Sequence, residues 1–162
     1  MTYKKFIETY SKTEKSKKEA YVKKHIVKDY LTYQEKIAEA KKIVEFSCYE
    51  EIQGKKVYKR NSPLAYMLYV LSIVEDYTDI TWDKEKENLD VFNEFERLGV
   101  FDAIISQIPK KEHESFSTVL KMTSDDEYEN FRSLAGFFDT KFDAISIMLE
   151  EATKLIERNQ TE

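Results

Sequence analysis

Tyr3, Phe6, Ile7 and Tyr10 open the chain at spacings of three and four, with Lys4 and Glu8 one turn apart on another face, which predicts a short amphipathic helix. The lysine-rich stretch from Thr13 to Leu31 mixes helical and alternating patterns and reads as an arm, or as a helix with a hinge. Thr32 and Glu35 then have the spacing of a capping box, opening a helix with Ile37, Ala40, Val44 and Cys48 on one face and an end near Phe46 to Tyr49. Gly54, between two short apolar-containing runs, suggests a small hairpin or a long connector. Asn61, Ser62 and Pro63 form a helix opening, a capping side chain followed by a proline whose missing N–H costs nothing there. From Leu64 to Tyr77 apolar side chains fall on nearly every face, the mark of a helix surrounded by other helices.

Downstream, Leu89, Phe92, Phe95 and Leu98 repeat helically, and Gly99 fits a left-handed carboxy-terminal cap. A short apolar helix follows and stops before Pro109; Phe116, Val119 and Leu120 then form a buried edge. Ser124, followed by three acids, reads as the cap of a final helix of about 30 residues. Its stripe runs through Phe131, Leu134, Ala135, Phe138, Phe142, Ile145, Met148, Leu149, Ala152 and Ile156, with Gly136 marking close packing or a bend. The expected fold is all-α: a compact multi-helix domain around the central apolar helix 64–77, with a long C-terminal helix and a minor hairpin near residue 54. Residues 1–30 are expected as a basic amphipathic helix or arm, and residues 31–162 as one helical domain.

Composition sharpens this picture at three points. Only three glycines and two prolines are present, fewer than an all-β domain with many tight turns needs. Residues 1–42 hold 12 lysines against six acids, which leaves −11 on the remaining 120 residues to reach the net charge of −5. Arginine, the main residue of bidentate base and phosphate recognition, is absent from that basic segment, so nucleic acid is expected only as a nonspecific partner of residues 1–42. Twenty-two aromatic residues in one small domain exceed what a single core readily hides. A protein interface is the expectation for Tyr3, Phe6, Tyr10, Tyr21 and Trp82, in keeping with the enrichment of aromatics at such surfaces.

Chemistry-bearing patterns are sparse. His25 and His113 sit among lysines and glutamates and read as surface residues, and Cys48 reads as a small core residue. One cysteine and two separated histidines do not supply a structural zinc site. The acids around Glu75, Asp76, Asp79 and Asp83, and those at Asp125, Asp126, Glu127 and Glu129, lack the glycine and spacing of a calcium loop and read as capping and solvation. No enzyme activity, cofactor or metal is expected. The segment Leu64 to Val74 is eleven residues, against the roughly 20 that a membrane span needs. A single cysteine and no secretory core near Met1 lead to the expectation of a reducing cytoplasmic setting.

The run from "LTYQEKIAEAKKIV" through "NSPLAYMLYVLSIVEDYTDI" to "FERLGVFDAIISQIPKKEHESFSTVLKM" and "GFFDTKFDAI" resembles small uncharacterised proteins of tailed bacteriophages that infect low-GC Gram-positive bacteria. The resemblance covers approximately residues 31 to 150. It rests most on Asn61-Ser62-Pro63, on Tyr77-Thr78-Asp79, and on Ile108-Pro109 ahead of Phe116 to Leu120. It implies a viral origin and a small helical protein located in the virion or in the cytoplasm of the infected host, and it assigns no site residues. The expected function is a non-enzymatic phage protein acting through protein contacts, as a virion structural or assembly component such as a connector, minor structural protein or assembly chaperone. Its partners would be phage structural proteins or further copies of itself. The alternative is an inhibitor of a host defence or nucleic-acid-processing protein, whose acidic body mimics nucleic acid.

Overall fold

The computed structural model of the chain describes residues 1–133, 141, 142, 145–150 and 154. Helix α1 (Tyr3–Lys12) leads through a short 3-10 turn (Lys15–Lys17) into α2 (Lys18–Lys23). Helix α3 (Tyr33–Cys48) is followed by the hairpin β1 (Tyr49–Ile52) and β2 (Lys55–Tyr58), then by α4 (Ser62–Tyr77), α5 (Asn88–Leu98), α6 (Val100–Ile105) and α7 (Lys110–Arg132). The architecture is all-α with one minor antiparallel hairpin.

Local chemistry accounts for most of these bounds. Thr32 accepts from the Glu35 N–H while Glu35 Oε2 accepts from the Thr32 N–H at 2.7 Å, so the capping box closes in both directions. Asn61 Oδ1 accepts from the Leu64 N–H at 3.0 Å and starts α4, with Pro63 in its first turn. The hairpin pairs Tyr49 with Tyr58 and turns at Gln53 and Gly54, both at positive φ (53° and 77°), the geometry of a tight turn that matches strand twist. Gly99 ends α5 at φ 66° and ψ 28°, where a Cβ would meet no neighbour within 4 Å but would be strained by the backbone itself. Gly99→Ala is therefore expected to lower stability by about 1 kcal/mol, read as a shift in the urea midpoint with an unchanged slope.

Helix α4 runs through the centre. Val70 to Val74 and Tyr77 are all buried, while its first two turns are half-buried and Tyr66 is exposed. Around it lie Phe6, Val22, Leu31, Val91, Phe95, Val100, Ile104 and Phe116 in one continuous core. On α5 the buried residues are Val91 and Phe95, whereas Leu89, expected in the stripe, points to solvent.

Three expectations are corrected here. Residues 1–30 are not an arm beside a domain: Tyr3, Phe6, Tyr10 and Val22 belong to the same core as α4. The backbone is stitched there as well, with Tyr3 N–H donating to Thr81 O (3.0 Å), Thr81 N–H to Met1 O (2.7 Å) and Val27 N–H to Tyr77 O (2.8 Å). His25 is buried rather than superficial, packed edge-on against Phe6 and Tyr21, and its Nδ1 is hydrogen-bonded to Asp79 Oδ1 at 2.8 Å. Lastly, the long C-terminal helix starts fourteen residues earlier than Ser124, at Lys110, and leaves helical geometry at Ser133 (ψ 154°). Ser124 and the acids after it lie within α7 and cap nothing, because packing on α3 carries the helix straight through that local start signal. Leu134, Ala135, Gly136, Phe138, Ala152 and Ile156 lie outside the described residues. Phe142, Ile145, Met148 and Leu149 are each more than half exposed.

Candidate docking groove

The aromatic residues expected at an interface are largely consumed by the fold. Tyr3, Phe6 and Tyr10 are buried at 7%, 0% and 4% exposure. The Phe6 ring touches those of Tyr10, Tyr21, His25 and Phe95 at centroid separations of 5.2 to 5.8 Å. Such a cluster adds edge and offset stacking to its area burial, so the aromatic surplus goes inward. Tyr21 is half-buried over the same core, with its hydroxyl 3.5 Å from Phe6 O. Trp82 likewise keeps a partly open face. Its indole N–H donates to Asn88 Oδ1 (2.7 Å), and it lines a cleft of about 480 Å³ with Ile43, Phe46, Leu68 and Leu71.

The basic segment 1–42 is also less available than its composition suggests. Lys4, Lys12, Lys17, Lys28, Lys36 and Lys42, half of its 12 lysines, are matched to acids. Lys18 lies 4.2 Å from the Tyr10 ring centroid.

A concave surface lies between α3 and α7. Lys36 meets Glu112 near the start of both helices, and Tyr49 donates to Glu127 beyond their middles, so the two run side by side in the same direction. The Lys36–Glu112 pair is the pin. Both side chains are almost fully enclosed (3% and 6% exposed), with Nζ to Oε2 at 2.7 Å. Glu112 Oε1 also accepts from the Leu31 N–H (2.9 Å) and the Tyr77 hydroxyl (2.7 Å), and Lys36 donates to Ser115 Oγ (3.1 Å). Burial pushes the Glu112 carboxyl up, but the bonds from Lys36, Leu31 and Tyr77, together with the Lys36 charge, outweigh it and hold the group below the usual glutamate range. The Tyr77 hydroxyl is pushed strongly up by burial and by the Glu112 it serves.

Alongside this pin the two helices border a groove of about 770 Å³ that Tyr49 and Lys56 of the hairpin also line. Its floor is Val44, Val119 and half-buried Ile37. Tyr33 and Met122 stand above the floor, 61% and 57% exposed. Lys41, Glu45, Asp126 and Glu127 form the rim. Glu45 pairs with Lys56, and Glu127 accepts from Tyr49. Among the described residues Lys41 and Asp126 make no ion pair and no side-chain hydrogen bond. Tyr49, between hairpin and α7, has its hydroxyl pushed up by burial and by Glu127.

Neither Lys36–Glu112 nor the groove was anticipated in the sequence, although Tyr33, Ile37 and Val44 share a face of α3 and Val119 and Met122 are one turn apart. Among the described residues no group of histidine, cysteine or carboxylate side chains is arranged to hold a metal ion, and no helix is long and apolar enough to cross a membrane. Cys48 is a buried core residue, 3% exposed.

One acid departs from the solvated reading. Asp76, on the last turn of α4, is pushed up to about 6 by burial, with further upward push from Glu39 and Glu75 and partial relief from Lys28 and Lys42. A raised carboxyl binds its proton more tightly in the native state, so its destabilising effect is present at neutral pH and disappears as pH falls through about 6 towards 4. Asp76→Asn is accordingly expected to raise the melting temperature at pH 8 and to leave it unchanged at pH 4, measured by calorimetry at matched ionic strength.

Comparison with protein-family models, with curated proteins and with solved structures finds no match.

Proposed function

We propose that this chain acts without enzymatic chemistry, through protein–protein contacts made in the α3/α7 groove, as a virion structural or assembly component of a tailed bacteriophage. The observation that carries the reading is the groove itself, an apolar bed with raised Tyr33 and Met122 inside a charged rim. An apolar centre within a polar margin is the anatomy of a protein-binding surface. The sequence resemblance over residues 31 to 150 supports the viral setting, in the particle or in the cytoplasm of the infected cell. Mass spectrometry of purified virions and of assembly intermediates tests the reading: the chain is expected in one of them, and Met122→Asp is expected to remove it. Absence from both would sink the assembly role.

A second reading is favoured by one feature. The second half of α7 exposes Asp125, Asp126 and Glu129, and although Asp125 pairs with Lys121 and Glu129 with Arg132, Asp126 and Glu127 leave this stretch with an excess of negative charge suited to a cationic partner surface. In that case the chain inhibits a host defence or nucleic-acid-processing protein. Capture from host lysate separates the two: a nuclease or polymerase as principal partner supports inhibition, and phage structural proteins support assembly.

A further inference from the structure

We infer that the last turns of α7, residues 121–132, form a strap that lifts off as a unit while the rest of the fold stays closed, baring Cys48. The inference is independent of what the α3/α7 groove binds.

One face of α7 changes character along its length. Glu112, Phe116 and Val119 are buried, and among the described residues of α7 none after Val119 is. The same face continues through Thr123, Glu127 and Phe131, all half-buried, and only the last of them is apolar. Apolar burial is what binds a helix to its neighbours, so the strap is held less firmly than the turns before it. Open space borders it on two sides. The groove of about 770 Å³ lies between it and α3, and a second cleft of about 350 Å³, lined by Lys121, Ser124 and Asp125, lies on the side of α4. The strap is fastened near its tip. Phe131 stacks on Tyr58 of the hairpin, with ring centroids 4.2 Å apart and planes 11° from parallel, and Glu127 accepts from the Tyr49 hydroxyl. Val44 and Cys48, 5% and 3% exposed, line the two clefts and lose cover when the strap lifts. The Tyr58 hydroxyl is buried and finds no hydrogen-bond partner among the described residues, a cost of the closed form that opening relieves.

Cys48 is the only cysteine, so its labelling by a soluble aromatic disulfide reports the opening in the unaltered full chain. The native protein is expected to label about 100-fold or more slower than its urea-unfolded form, yet about 100-fold or more faster than global unfolding permits, at a rate that barely changes with low urea. Native-state hydrogen exchange is expected to show amides 123–130 opening with the free energy that labelling reports, and amides 113–119 with the global value. Phe131→Ala removes the tip contact and is expected to speed labelling about tenfold. Val91→Ala, in the core away from the strap, is expected to lower the urea midpoint and leave the labelling rate unchanged, because closed and open forms lose the same packing. Labelling that speeds with Val91→Ala, that carries the full urea slope of unfolding, or that ignores Phe131→Ala overturns the proposal. So does a native thiol that labels as fast as the unfolded one.

Discussion

Glu112→Ala is expected to cost about 3–5 kcal/mol, the range for removing one partner of a buried ion pair. The loss exceeds that of one contact because Glu112 serves three donors: without it Lys36 keeps a charge at 3% exposure, and the Leu31 N–H and the Tyr77 hydroxyl lose their acceptor. Against a total stability of roughly 5–15 kcal/mol for a domain of this kind, such a loss lowers the urea midpoint sharply. Replacing the charged pair together, Lys36→Met with Glu112→Leu, is expected to recover most of it, since well-packed apolar residues substitute for buried ion pairs at little cost. Adding Tyr77→Phe should recover more by removing one stranded hydroxyl, leaving the Leu31 amide as the residual deficit. A double substitution no better than Glu112→Ala alone would mean that the charges themselves are required. The acid limb has a definite sign. A carboxyl held below its usual range contributes stability above the unfolded value near 4.3, and loses it as pH falls through the lower folded value.

Phe6→Ala is expected to be comparably severe, about 3–5 kcal/mol, although it lies six residues from the start of the chain. Its ring is fully enclosed and touches four other rings, so truncation opens a cavity at the junction of α1, α2 and α5. Leu89→Ala is the control. That side chain is 61% exposed and its removal should change stability by no more than about 0.5 kcal/mol. Equal small effects from both would mean that the first helix is dispensable to the core.

What could be read from the sequence was what neighbouring residues decide among themselves. Thr32 with Glu35, Asn61 with Pro63, and Gly99 each act within four residues and do in the fold what their spacing promises, and Gly54 turns the hairpin that was one of its two readings. The all-apolar circumference of α4 was legible for the same reason. Partnerships across the chain were not. Lys36 and Glu112 stand 76 residues apart, His25 and Asp79 54 apart, and each looks locally like a solvated charge. Ser124 misleads because a serine followed by acids is a sound start signal, yet α7 has by then run nearly four turns, braced on α3. The aromatics near the start of the chain look surplus by number alone, because their stacking on one another is a property of the fold and not of local spacing. Of the groove, the sequence carries only the pattern of Tyr33, Ile37, Val119 and Met122, and the exposure of each depends on how α3 and α7 pack.

Native-state hydrogen exchange measures most directly whether α1 and α4 belong to one core. The amides of Ile7 to Tyr10 are expected to open with the same free energy as those of Leu71 to Val74, through global unfolding alone. Exchange in α1 that is faster by orders of magnitude, with α4 still protected, would contradict it and return the first 30 residues to the role of a detachable arm.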